Sequence, residues 1–233
     1  GWWTTAVVAN PYLVEDLGFS RGFADFDHAD ALEALAPARS TVLAQELTRH
    51  VLSARDAADG EAMVARAGRW LRSYRRDEPF LCWIHLMEPH VPYRSHPDQA
   101  GRRPELPAHP LLDADGFADL AALRAALPDV PPPVRQAIED LYDGEVRRAD
   151  ACVGRLLDAL AASGHAGDTW IIVFADHGEE FFEHGGYEHG HSLWPEVSGI
   201  PLLVCPPGGL AAGVRDARPV SLLDLLPSLH QAL

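Results

Sequence analysis

Four apolar runs along the chain have the length and composition of β-strands. They lie at about residues 4–9, 80–87, 169–174 and 200–205, and the third is the clearest because β-branched and aromatic residues fill it. The run at 80–87 is apolar almost throughout, as is typical of a strand covered on both faces. The pattern therefore predicts a sheet whose strands are largely buried.

Helical periodicity separates these strands. It predicts helices near residues 40–55 and 58–75, a long amphipathic helix over 134–160 that ends at Gly164, and a final helix from about Ser221. Strands that alternate with helices are typical of an α/β sandwich with a mainly parallel sheet. In such sheets, ligands bind at the carboxyl ends of the strands.

The stretch between residues 91 and 133 interrupts the alternation. It is rich in proline and aspartate, and its pattern allows at most one short helix, near 117–127. We interpret residues 94–133 as a surface excursion within a single domain. It is either an insertion or lid, or simply a long loop.

Composition and charge exclude several classes of function. The 233 residues include 19 basic and 34 acidic side chains, so the formal net charge is −15, which argues against a partner nucleic acid. Every basic residue is arginine, so this chain supplies neither a Schiff-base lysine nor a Walker-type phosphate lysine. No apolar run approaches the roughly 20 residues that a membrane-spanning helix needs.

The cysteines and the two ends of the sequence add further limits. Cys82, Cys152 and Cys205 are odd in number and widely spaced, so they predict neither a disulfide framework nor a thiolate zinc site. Because the chain opens at Gly1 without methionine and stops inside a helical pattern at Leu233, we expect it to be an excerpt of a longer polypeptide. The compartment stays open between cytoplasmic and periplasmic or extracellular.

Polar side chains follow three of the predicted strands. Asn10 and Tyr12 come after the first strand, His90 comes after the second, and Asp176 and His177 end the third. Because the carboxyl ends of parallel strands share one edge of a sheet, we expect these side chains to converge.

Asp176 and His177 form a candidate metal-binding pair. A carboxylate oxygen and an imidazole nitrogen suit a divalent ion, and the imidazole shifts the preference from calcium toward zinc or manganese. Two ligands do not close a site. The alternative is a turn followed by a helix, with Glu179 and Glu180 in its first turn, where acidic residues are favourable.

A dense group of histidines surrounds this pair. Four of the twelve histidines fall within residues 177–191, a density that a uniform scatter does not explain. The group includes His184, His189 and His191, and the glycine at position 190 gives the loop the freedom to approach a ligand. Such a tract is also consistent with solvated surface or adventitious metal binding.

Several segments resemble one known family. The metal-binding and substrate-binding stretch of the sulfatases, and of the related phosphonate and phosphate ester hydrolases of the alkaline phosphatase superfamily, is similar to ADHGEEFFEHGGYEHGHSLWPEVSGIPLLV. The family's strand and PHxPY segment resembles PFLCWIHLMEPHVPY, and its long helix resembles LYDGEVRRADACVGRLLDAL. The resemblance covers nearly the whole chain in the family's order. It implies an alkaline-phosphatase-like three-layer sandwich, with residues 1–233 as part of a catalytic domain.

The same resemblance implies a metal-dependent hydrolase of sulfate esters that uses one divalent ion, calcium, manganese or zinc, on an anionic ester substrate. The family's metal-binding Asp-Asn or Asp-His pair falls on Asp176 and His177, and its substrate-contacting histidine falls on His90. A lysine or histidine placed five residues before a glutamate falls on His191, with Glu196 as that glutamate. In a chain without lysine, His191 is the candidate catalytic residue, binding the oxygens of the transferred group or protonating the leaving group.

Two departures from the family pattern keep alternatives open. The paired aspartates and the C/S-x-P-x-R nucleophile motif are absent, and the common GKWH segment reads Ala9-Asn10-Pro11-Tyr12. Asn10 and Tyr12 are therefore candidate substrate contacts in place of that lysine and histidine, and a phosphonate or phosphodiester substrate stays possible. The rivals from other classes are a non-catalytic fragment that binds metal weakly or not at all and a histidine-rich metal carrier. The oligomeric state is not predicted.

Overall fold

The sheet at the centre of the fold is parallel, as predicted. The computed structural model describes residues 1–10, 13–28, 60–75, 77–97, 103–117, 119–208 and 214–233. Strand β1 (Trp3–Val8) lies between β2 (Asp25–His28) and β3 (Phe80–His85), and both neighbours run parallel to it. Val8 pairs with His28 on one side and with His85 on the other, so the three strands end at one edge.

The remaining elements follow in chain order. The described residues form helices α1 (Gly60–Ser73), α2 (Leu120–Ala126), α3 (Pro132–Ser163), α4 (Pro195–Ser198) and α5 (Leu225–Ala232). Further short strands are β4 (Tyr93–Arg94), β5 (Gly116–Phe117), β6 (Ile171–Phe174), β7 (Glu180–Phe181), β8 (Tyr187–Glu188) and β9 (Leu202–Cys205). None of the helices in these ranges has both the length and the apolar character to cross a membrane. The helix predicted near 40–55 lies outside the described residues.

Helices α1 and α3 pack on each other, and α1 also packs on β1. Met63 and Ala67 of α1 are fully buried beside Val7 of β1, and Leu156 of α3 packs against the same cluster. Burial of each large apolar side chain contributes about 1.5–3 kcal/mol. Helix α3 ends where the sequence predicts, because Gly164 adopts a left-handed conformation with φ of 86° and closes the last turn.

Part of the proline-rich stretch is core rather than surface. Leu111, Phe117, Leu123 and Val130 are buried in one cluster together with Ile138 of α3. Leu123 lies in α2, which matches the short helix predicted near 117–127, whereas Leu111 and Val130 follow no helical or strand period from which burial could be predicted. The interpretation of residues 94–133 as an insertion or lid stays a prediction.

The third and fourth predicted strands form, but they pair with each other. Strands β6 and β9 run antiparallel, with Ile171 opposite Cys205 and Phe174 opposite Leu202. Phe174 and Leu203 are 41% and 60% exposed, although apolar runs of this kind are typical of covered strands. This pair therefore differs from the parallel sheet in both direction and burial.

The C-terminal helix begins where the sequence predicts. The Ser221 hydroxyl accepts a hydrogen bond from the Leu223 amide (3.2 Å), and the Asp224 carboxylate accepts one from the Ser221 amide (2.9 Å). This reciprocal capping box opens a short 3-10 turn, Leu222–Asp224, that continues into α5.

Candidate active site

The candidate site lies at the carboxyl edge of the parallel sheet. The Ala9 amide, just after β1, donates a hydrogen bond to the His85 carbonyl at the end of β3 (3.2 Å). The Asn10 carbonyl accepts a hydrogen bond from Nε2 of His28 at the end of β2 (2.9 Å). Asn10 thus lies where the three strand ends are tied together, whereas Tyr12 lies outside the described residues.

The loop after β3 carries His90. Its amide donates to the Met87 carbonyl (2.7 Å), which closes a turn, and its Nδ1 donates to the Val91 carbonyl (2.7 Å), so Nε2 is the ring nitrogen left for a ligand. Burial lowers the pKa of His90, and the neighbouring imidazoles of His189 and His177 lower this pKa further. Burial therefore disfavours the imidazolium form of His90.

Three imidazoles from separate segments meet at this edge. The rings of His177 and His189 stack with their centroids 3.8 Å apart and their planes at 28°. His90 meets His189 edge to face, with centroids 5.3 Å apart and planes at 68°. Imidazoles offer both hydrogen-bond donors and metal-binding lone pairs, so the cluster suits an anion or a metal ion.

Glu179 holds His189 in this cluster. The His189 Nδ1 donates to Oε1 of Glu179 (2.9 Å), and the hydroxyl of the buried Tyr93 donates to Oε2 (2.7 Å). The hydrogen bond to Glu179, together with the charge of that carboxylate, raises the pKa of His189 in spite of burial. The arrangement fixes the ring and leaves its Nε2 for a ligand.

Asp176 and His177 follow β6 and lie close to each other. Oδ1 of Asp176 is 3.7 Å from Nε2 of His177, while Nδ1 of His177 donates to the Gly178 carbonyl (2.8 Å). Because Nδ1 carries the proton, Nε2 keeps its lone pair, and the two side chains fit as two ligands of one divalent ion. Across the described ranges no group of three such side chains is placed to hold an ion, so the pair supplies part of a site.

The turn after His177 is hydrogen-bonded to helix α4. The amides of Gly178 and Glu179 donate to the carbonyls of Val197 (2.7 Å) and Glu196 (3.0 Å). A Cβ at position 178 would lie 2.1 Å from the Glu196 carbonyl oxygen, so this close approach requires glycine. The turn that carries the metal pair is therefore fixed to the short helix behind it.

His191 pairs with a different carboxylate. Its Nε2 donates to Oε2 of Glu180 (2.8 Å), and the amides of His184 (3.2 Å) and Gly186 (2.9 Å) donate to Oε1. Burial of Glu180 opposes its ionisation, but these hydrogen bonds outweigh it and hold the pKa of Glu180 below its usual range. His191 is thus anchored to the β7–β8 hairpin rather than to the stacked imidazoles.

Comparison with known proteins identifies the family. A family model described as Sulfatase matches residues 2–233. The chain belongs to the sulfatase family. A sulfatase of Formosa agariphila is 28% identical to it over 172 residues, which cover 69% of this chain and 33% of that relative. Iduronate 2-sulfatase of Homo sapiens is 28% identical over 153 residues, which cover 58% of this chain and 28% of that relative.

A solved structure shares the fold of this sulfatase-family chain. The phosphonate monoester hydrolase of Agrobacterium radiobacter superposes with a TM-score of 0.56 at 18% identity, covering 89% of this chain and 51% of that chain. At this identity the likeness shows the fold alone, and it confirms the alkaline-phosphatase-like α/β architecture. The chain spans about a third of the length of the curated relatives it matches.

The structure brings together some of the residues that the sequence singles out in this sulfatase-family chain. His90 and His177 both contact His189, and Asp176 lies beside His177. His191 belongs to the same loop but makes its hydrogen bond to Glu180.

His189, Glu179 and Tyr93 are site residues that sequence reasoning does not single out. His189 is one of the four histidines within 177–191, but the sequence does not distinguish it from the others as a site residue. The alternative in which Glu179 and Glu180 open a helix is wrong, because β7 begins at Glu180 and bends the chain into a hairpin instead. That hairpin brings His189 back to Glu179.

Proposed function

We propose that this chain forms part of a metal-dependent hydrolase of sulfate esters, in which His90 and His189 bind the oxygens of the sulfuryl group. The observation that carries the proposal is the packing of three imidazoles, with ring centroids 3.8 and 5.3 Å apart, at the carboxyl edge of the sheet. Membership of the sulfatase family supports it. On this proposal residues 1–233 belong to one catalytic domain, with 94–133 as an insertion or lid within it.

Asp176 and His177 are the residues that would hold the divalent ion. Such an ion supplies a Lewis acid for the oxygens of the ester. The hydrogen bond from Nδ1 of His177 to the Gly178 carbonyl fixes the ring and leaves Nε2 as the ligand atom. The metal dependence of the activity distinguishes calcium, manganese and zinc.

The imidazoles of His90 and His189 provide the contacts for the anion. Each ring donates from Nδ1 to a protein acceptor, the Val91 carbonyl or the Glu179 carboxylate, so Nε2 donates to an anion in the imidazolium form, in which both ring nitrogens carry protons. Hydrogen bonds to the oxygens of a transferred group stabilise the charge that develops in the transition state. Because both rings are fixed before the substrate binds, little reorganisation is required.

His191 is the proposed catalytic acid. Its Nε2 is held by Glu180, so Nδ1 is the nitrogen that would reach the leaving-group oxygen or an oxygen of the transferred group. Asn10 and Tyr12 are proposed as further substrate contacts, a role supported for Asn10 by its position at the strand edge.

Turnover of aryl esters tests the proposed function. A polypeptide that contains residues 1–233 together with the nucleophile segment is mixed with 4-nitrophenyl sulfate in the presence of Mn²⁺, Zn²⁺ or Ca²⁺, and release of 4-nitrophenol is measured. We expect metal-dependent release that Asp176→Ala abolishes. Asp168→Ala is the matched control, because it removes the same charge from an exposed side chain (72% exposed) in the loop before β6.

The same assay separates the alternatives. Hydrolysis of an aryl phosphonate monoester or of bis(4-nitrophenyl) phosphate, with no hydrolysis of the sulfate, would replace the proposed substrate by a phosphonate or phosphodiester. Absence of turnover for every ester and metal would favour the non-catalytic fragment. Binding of several ions per chain, insensitive to Asp176→Ala in equilibrium dialysis, would favour the metal carrier.

A further inference from the structure

Glu88 is a carboxylate just outside the imidazole cluster, two residues before His90. Its side chain is only 12% exposed. Oε1 accepts hydrogen bonds from the Gly60 amide (2.9 Å) and from Nε of Arg148 (3.3 Å). Gly60 is the first residue of α1 and Arg148 lies in α3. One carboxylate therefore ties the His90 loop to both helices that pack beside the sheet.

The Glu88 carboxylate lies close to the backbone of Gly60. A Cβ at position 60 would lie 2.9 and 2.8 Å from Oε1 and Oε2 of Glu88 and 3.0 Å from Sγ of Cys152. Glycine is thus the residue that lets the carboxylate approach the helix. Both the N-terminus of α1 and the Arg148 guanidinium favour a negative charge at this point.

Stability alone does not account for the arrangement. Oε2 of Glu88 is buried and has no hydrogen-bond partner among the described residues. A buried carboxylate oxygen without a partner is destabilising. Burial of the Glu88 carboxylate therefore lowers the free energy of unfolding, whereas an apolar side chain at this position would not.

The position of the His90 ring depends on the backbone of its own loop. The two hydrogen bonds that fix it, from its amide to Met87 and from its Nδ1 to Val91, both lie within that loop. Outside the loop, the ring packs edge to face on His189. A shift of the backbone at Glu88 consequently moves Nε2 of His90 relative to the rest of the cluster.

We propose that Glu88, held by the Gly60 amide and by Arg148, is the positioning residue that places Nε2 of His90 for contact with the sulfuryl group. Glu88 itself does not touch the substrate. The inference rests on the proposed anion-binding function of His90, and it predicts that Glu88 acts only through that imidazole.

The first test measures the geometry of the cluster without any substrate. In wild type, nuclear Overhauser effects should connect the ring protons of His90 and His189. Glu88→Gln and Gly60→Ala should each weaken or abolish this connection. Glu61→Gln is the matched control, because Glu61 also forms an ion pair with Arg148 (3.9 Å) but is 56% exposed.

The second test measures binding of inorganic sulfate through the imidazole signals of His189, which is present in every variant compared. Glu88→Gln should weaken the affinity about tenfold, the scale typical of losing a group that orients a ligand, and Glu61→Gln should leave it unchanged. Adding Glu88→Gln to His90→Asn should cause no further loss. A purely structural effect of Glu88 would instead lower the affinity again in the double variant.

The outcomes keep the inference and the proposed function apart. If Glu88→Gln preserves both the ring contact and the sulfate affinity, the inference is overturned. If wild type and His90→Asn bind sulfate equally, the function proposed for His90 fails, while the ring contact still decides whether Glu88 positions it. If Glu88→Gln does not fold, Arg148→Lys, which keeps the charge but loses the Nε donor, should show a smaller loss of both signals, and no loss would overturn the inference.

Discussion

Replacing Tyr93 with phenylalanine removes a single hydroxyl from the support of the candidate site. Tyr93 is 0% exposed, and its hydroxyl donates to Oε2 of Glu179 (2.7 Å). Burial, reinforced by nearby Tyr187 and Glu179, raises the pKa of Tyr93 far above its usual value, so the hydroxyl stays protonated and acts as a donor. The ring contacts with Phe117 do not involve the hydroxyl.

The expected loss follows from the charge and burial of the acceptor. A hydrogen bond to a charged group contributes about 1.5–3 kcal/mol, and a buried acceptor that loses its donor is not rehydrated. Phenylalanine keeps the buried ring, so no large cavity adds to the cost. We therefore expect Tyr93→Phe to lower the free energy of unfolding by about 1.5–3 kcal/mol, against less than about 0.5 kcal/mol for an ordinary surface substitution.

Urea denaturation monitored by circular dichroism at pH 7 measures this difference. Tyr142→Phe is the control, because Tyr142 packs against the same Tyr93 ring (centroids 5.5 Å apart) but is only partly buried. The reasoning is refuted if Tyr93→Phe changes the free energy of unfolding by less than about 0.5 kcal/mol, or by the same amount as the control.

Three further substitutions test the site and its frame. Burial lowers the pKa of His90, so this residue favours the folded state above its unfolded pKa of about 6.5 and loses that contribution as the pH falls. In urea denaturation, His90→Asn should therefore lose less stability than wild type between pH 7 and 5. An equal loss would contradict the lowered pKa. Gly116→Ala should destabilise by more than about 2 kcal/mol in thermal denaturation, since φ is +127° and a Cβ would lie 2.1 Å from the Tyr93 carbonyl oxygen. Gly154→Ala, with nothing within 4 Å of the new Cβ, should stabilise α3 by about 0.5–1 kcal/mol, and a loss there would show that the helix is packed differently.

The edge of the parallel sheet could be predicted because the strands that build it end abruptly. The apolar run from Phe80 stops near Pro89, so the polar groups that follow fall at the end of a strand. Parallel pairing of β1 and β3 then places His90 and Asn10 at the same edge. This part of the site needs only strand boundaries and one rule of sheet topology.

The support of the site could not be predicted, because it depends on contacts between distant segments. Tyr93 and Glu179 are 86 residues apart in sequence, and their hydrogen bond requires the burial of the proline-rich stretch in which Tyr93 lies. The Glu179–His189 contact requires the β7–β8 hairpin, whose strands have two residues each. Strands this short leave no alternation by which to recognise them.

A formal net charge of −15 does not oppose binding of an anion at this edge of the sheet, because the acids nearest the imidazoles are already paired. Glu179 accepts hydrogen bonds from Tyr93 and His189, and Glu180 accepts one from His191. A carboxylate paired with an imidazolium forms a neutral pair, whose field is weaker than that of a lone carboxylate. The acidic residues around the cluster thus orient the groups that would bind the anion. The repulsion of the anion by acidic side chains on the rest of the surface is screened by the solvent.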